Sequence, residues 1–268
     1  MSADLVAHVQ AELTPPRTDV ITDAAGAWFG ARVHRPTADV VEAILPTPAP
    51  GTGGSVFARM VQGVDIAAGA SANLVVDPAG AVTADIVLHV LDPDAQGDLV
   101  CRGSMVRAGR AHAVAEVTVV DARGEVVGVA TVNHGVREGI RMYLHEIEPG
   151  GTFDLAPYRK APLGPLAEVF HTDGQIVLND RTTNPWGVGQ GALMVTLVEP
   201  AATEAGLSHI DDFTVRFIAP ASVGPVRFVR TSVTDRATSR LLVGEIRDLG
   251  ADRTVCLITA AGPRSEGA

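Results

Sequence analysis

Val82-Thr-Ala-Asp-Ile-Val-Leu-His-Val-Leu-Asp-Pro93 alternates apolar and polar residues with the two-residue period of a half-buried strand and stops at a proline. Ile210-Asp-Asp-Phe-Thr-Val-Arg-Phe-Ile-Ala-Pro220 does the same. The flanks match as well. Gly97–Arg110 parallels Gly224–Ala237, each an alternating run after a glycine. Two further strands follow in each half: His112–Val120 and Val126–His134 around Asp121-Ala-Arg-Gly124, then Arg240–Arg247 and Thr254–Ala260 around Asp248-Leu-Gly-Ala-Asp252. Asp and Gly between alternating runs are hairpin signals.

Working outward, each strand set is preceded by a helical stretch with apolar residues at helical spacing, Ser55–Ala72 and Gly191–Ala205. Each helix follows a glycine turn, Gly51-Thr-Gly-Gly54 and Gly187-Val-Gly-Gln-Gly191. One more strand is expected before each turn, over Trp28–Leu45 and Gly174–Asn179. With one helix per set, parallel crossovers are excluded, and an antiparallel sheet wrapped on a helix remains. The expected domains are 20–145 and 166–263, joined by a Gly/Pro-rich linker over 146–165.

Composition narrows the function. A hydrophobic fraction of 46% with 19% charged residues marks a globular chain, and 268 residues suffice for two small domains. A net charge of −10 argues against non-specific nucleic-acid binding, which needs clustered Lys and Arg. Cys101 and Cys256 sit in apolar strand-like runs and read as buried free thiols, and no Cys/His spacing suits a metal. Met1–Thr18 lacks a signal-peptide pattern, and no apolar run reaches a membrane span, so a cytoplasmic location is expected.

The segment Asn184-Pro-Trp-Gly-Val-Gly-Gln-Gly-Ala-Leu-Met-Val-Thr-Leu-Val-Glu199 resembles the active-site segment of hotdog acyl-CoA thioesterases of the phenylacetate-pathway and 4-hydroxybenzoyl-CoA type. There an Asn or Gln is followed after six residues by a His-Gly pair and after nine more by a carboxylate. The matching positions are Asn184, Gln190-Gly191 and Glu199, with Thr203 one helical turn beyond. In the first half, Gly63-Val-Asp65 resembles the carboxylate turn. The resemblance implies an α+β tandem double hotdog, each half a long helix wrapped by an antiparallel sheet of about five strands. It implies hydrolysis of acyl-CoA, with no cofactor beyond the CoA of the substrate and a possible homo-oligomer. Arg107 and Arg110 fall where such proteins often contact CoA; a solvated strand end is the plainer reading.

The spacing has its own physical sense. Free N–H groups and a partial positive charge at a helix start, here the Gly191 amide, can hold the oxyanion of a thioester under attack. The resemblance implies that the facing half supplies a carboxylate, which acts as base on water or as nucleophile. Two composite sites result. One joins Asn184, Gln190 and Gly191 to Asp65; the other joins Glu199 and Thr203 to the helix start near Val56. The first is favoured, because it has both a donor turn and a carboxylate. Three departures bear on this: Gln190 replaces the family's histidine, the first half has no His-Gly pair, and Pro200 follows Glu199. Structural readings stand beside each residue: a hydrogen bond for Asp65, a turn or cap for Asn184, close packing for Gly191. A non-catalytic acyl-CoA or lipid-binding protein is the alternative function. A hotdog hydratase resembles Asp-x-Asn-Pro-x-His, and the histidine is missing after Asn184-Pro185.

Overall fold

The alternating runs form one antiparallel sheet in a computed structural model that describes residues 24–138, 147–184 and 186–265. Met1–Thr18, the expected boundaries at 20, 145 and 146, and Pro185 lie outside those residues. In chain order the elements are α1 (Ala24–Phe29), β1 (Arg32–His34), β2 (Val40–Leu45), α2 (Val56–Val76), β3 (Gly80–Val90), β4 (Leu99–Ala108), β5 (His112–Val120) and β6 (Val126–Arg137). Then come β7 (Thr152–Asp154), α3 (Leu166–Phe170), β8 (His171–Thr172), β9 (Gln175–Ile176), α4 (Gly191–Met194), a 3₁₀ turn (Val195–Leu197) and α5 (Val198–Glu204). The chain closes with β10 (Asp212–Phe217), β11 (Val226–Asp235), β12 (Ser239–Asp248) and β13 (Arg253–Pro263).

The strand order is β7-β1-β2-β4-β5-β6-β3-β10-β13-β12-β11-β9-β8. The order β2-β4-β5-β6-β3 recurs, read from the other edge, as β9-β11-β12-β13-β10. The sets meet where β3 pairs with β10, Asp212 opposite His89 and Arg216 opposite Asp85. Inward positions Ile86, Leu88, Val132, Val215, Leu242 and Ile258 build the core. Helix α2 is buried almost all round, which its Ala-rich, apolar sequence permits. In the first hairpin turn buried Asp121 accepts from the amides of Arg123 (2.9 Å) and Glu125 (3.0 Å); in the second, buried Asp248 accepts from Ala251 of its own turn and from Ser222, Val223 and Gly224 of the loop before β11. Both cysteines are buried and free, and burial pushes the Cys101 thiol up to about 12. No helix among the described residues is long and apolar enough to cross a membrane.

Three expectations change. Trp28–Leu45 is not one strand: α1 ends at Gly30 (φ +70), with Ala31 N–H bonded to Gly26 O and Gly30 N–H to Ala27 O, a glycine-terminated helix stop before β1 and β2. Gly174–Asn179 shrinks to β9, paired with β8 through the positive-φ turn Asp173-Gly174. The second helix is not one long helix. Proline has no N–H and its ring opposes the carbonyl four residues back, so a regular helix from Gly191 cannot run through Pro200. The 3₁₀ turn intervenes, and α5 restarts so that Pro200 falls in its first turn, where no N–H is needed. The segment read as a linker adds β7 to the edge strand β1, and the Trp28 indole donates to Pro162 O at 2.8 Å.

Candidate functional site

Ser55 precedes α2 and caps it, its Oγ accepting from the Ala58 amide at 3.0 Å. Helix geometry leaves the amides of Val56 and Phe57 without intrahelical partners, at the positive end of a 21-residue helix. From the other half, Glu199 on α5 meets this helix start, and the Ser55 hydroxyl donates to Glu199 Oε1. Glu199 is partly exposed as a residue, yet burial of its carboxyl pushes it up to about 7, against the opposing pull of the Ser55 hydrogen bond. Titration near neutrality suits a general base.

A cleft of about 180 Å³ opens on this pair. It is lined by Ser55, Val56 and Phe57 at the start of α2 and by Val90 and Pro93 at and beyond the end of β3. Glu199, Ala202 and Thr203 of α5 and Leu207–Ile210 complete the lining. Both halves therefore build the cleft. Thr203 Oγ1 donates back to Glu199 O at 3.2 Å, as exposed helical threonines do. His209 holds Asp211 through Nε2 (2.9 Å) and lies 3.1 Å from Ser208 Oγ through Nδ1. Among the described residues no group of three or more His, Cys, Asp or Glu side chains is set to hold a metal ion.

The other expected site residues are placed differently. Asp65 accepts from Thr83 Oγ1 at 2.7 Å. Asn184 Oδ1 accepts from the amides of Trp186 and Val188 at 3.1 Å each, which makes it a turn former. Gln190 is buried, and its Oε1 accepts from the Ala25 amide at 2.9 Å, so this side chain anchors α1. A Cβ on Gly191 would stand 2.9 Å from the Phe217 ring, which accounts for the glycine by packing. Phe217 ends β10, and β10 pairs with β3 as far as Asp85, two residues from Thr83. Asp65 and Gly191 thus belong to neighbouring elements, but the cleft is formed by the other pairing, Glu199 and Thr203 with the helix start at Val56. Arg107 and Arg110 are exposed, and Arg107 is eight residues (about 26 Å) along β4 from Leu99, the end that adjoins the start of α2.

Sequence reasoning did not single out Ser55 or His209. Ser55 had a signal, a serine before a helical apolar run, which marks a cap. His209 had none, because its neighbours across the cleft come from distant segments.

No protein-family model matches the sequence, and no curated protein matches it. Solved structures do match in fold. A candidate thioesterase II from Thermobifida fusca YX shares 15% identity at a TM-score of 0.58, covering 91% of this chain and 98% of its own. The tesB protein of Mycobacterium avium subs. paratuberculosis shares 16% at 0.56, covering 89% and 97%. A candidate thioesterase from Novosphingobium aromaticivorans shares 15% at 0.55, covering 88% and 98%. At these identities the likeness is one of fold.

Proposed function

We propose that the protein hydrolyses acyl-CoA thioesters in the cleft between Ser55 and Glu199, on a tandem double hotdog scaffold. The repeated strand order and the fold shared with structures named as thioesterases support the scaffold reading. One observation carries the chemistry: a carboxyl held near a pKa of about 7 faces the N-terminus of a long helix from the other half. Glu199 is the base that activates water, and the amides of Val56 and Phe57 hold the oxyanion. Asp65, Asn184, Gln190 and Gly191 serve the scaffold in this reading. The reaction needs no cofactor beyond the CoA of the substrate.

The test is release of free CoA from acetyl-, benzoyl- and octanoyl-CoA. Turnover is expected, and Glu199→Gln should lower kcat by about 10²–10⁴-fold. Calorimetric binding without turnover of any of the three would instead identify a non-catalytic acyl-CoA binder and overturn this assignment.

A further inference from the structure

We propose that Ser55 is the nucleophile of a two-step acyl transfer, so that the acyl group passes through an ester on Ser55 before water releases it. The proposal rests on the thioesterase reading above and deepens it. The Ser55 hydroxyl lines the cleft and donates to Glu199 Oε1, so a nucleophile and a base are already within proton-transfer reach. The Ala58 amide donates to Ser55 Oγ at 3.0 Å and favours negative charge on that oxygen. The next two amides along the chain, those of Val56 and Phe57, belong to residues lining the same cleft and have no partner within α2, so they are available as oxyanion donors.

In the first step Ser55 Oγ gives its proton to Glu199 and bonds to the thioester carbon. The oxyanion collapses, the C–S bond breaks, and Glu199 passes the proton to the departing thiolate. In the second step water gives a proton to Glu199 and bonds to the ester carbon. The Oγ–C bond then breaks and the proton returns to Oγ. The sum is thioester plus water giving acid plus thiol, with both side chains restored.

The experiment quenches the enzyme in acid during turnover of acetyl-CoA and, separately, of p-nitrophenyl acetate, then maps the acyl mass gain by peptide. Acetylation of the peptide carrying Ser55 is expected, with a burst of thiol or nitrophenol release. Ser55→Asn keeps a competent cap and should lose the burst, the mass gain and at least about a hundredfold in kcat. Ser55→Cys should recover the covalent intermediate as a thioester. If wild type hydrolyses acetyl-CoA while Ser55→Asn stays within threefold and carries no acyl group, the nucleophile assignment falls and the hydrolase reading stands. Acylation mapped to Ser208 instead would overturn it as well. If p-nitrophenyl acetate acylates Ser55 but no CoA thioester turns over, the nucleophile stands and the substrate assignment falls. Inertness toward both reagents overturns both.

Discussion

Glu199 and Asp248 are carboxylates with opposite shifts. Burial raises Glu199 to about 7, and one hydroxyl opposes it weakly. Burial would raise Asp248 too, but four backbone amides outweigh it and hold the carboxyl below its usual range. The first arrangement leaves a group ready to exchange a proton; the second makes a permanent anion that organises a turn. Because Glu199 titrates at about 7 when folded against 4.5 as a free side chain, folding takes up a proton between those values. Its contribution to stability is therefore lost as pH rises from about 4.5 through 7. Glu199→Gln should stabilise the fold at pH 8 by up to about 3 kcal/mol, read as a raised Tm, and change little at pH 4. In wild type, kcat should climb about tenfold per pH unit below 7 and level above it, as the basic form fills. A rate flat from pH 5 to 8 would exclude Glu199 as the base. The resemblance had singled out Glu199, yet the sequence could not rank it above Asp65, because a carboxyl shifts according to its partners and those are distant in the chain.

At the scale of elements, α2 shows why its glycines differ. A Cβ on Gly63 would overlap Cys101 Sγ and Leu45 Cδ2, so helix and sheet meet there at backbone distance. At Gly69 a Cβ would meet nothing within 4 Å. Gly63→Ala should destabilise by about 1–3 kcal/mol through overpacking. Gly69→Ala should be neutral or stabilising by about 0.5–1 kcal/mol through helix propensity. Urea midpoints of the two variants decide it, and equal effects would contradict the packing described. Most strands were legible because alternation reports a two-sided environment directly. Trp28–Leu45 was misread because its apolar residues serve first a helix and then two short strands. The break of α4 into α5 was only partly legible: Pro200 announces a disturbance, but where it falls depends on which turn can restart.

Across the whole molecule the sheet is continuous through β3 and β10, and the Phe57 and Phe213 rings cross the junction edge to face at 5.0 Å. Phe213 is fully buried. The halves therefore share one sheet and one core, and calorimetry should show one unfolding transition. Phe213→Ala should lower stability by about 3–5 kcal/mol and leave that transition single. Two separable transitions would mean that the halves fold independently. The same junction is what makes a site from parts that neither half holds alone.

By itself the sequence determined the two strand sets, their helices, their hairpin turns and a short set of carboxylates and donor turns, because these follow from local periodicity and turn chemistry. The tertiary structure alone decided which carboxylate meets which helix start. Glu199 reaches Ser55 across 144 residues through the β3–β10 register, while Gln190 turns to the Ala25 amide. Periodicity says which way a side chain faces; only the register of two distant strands says what it faces.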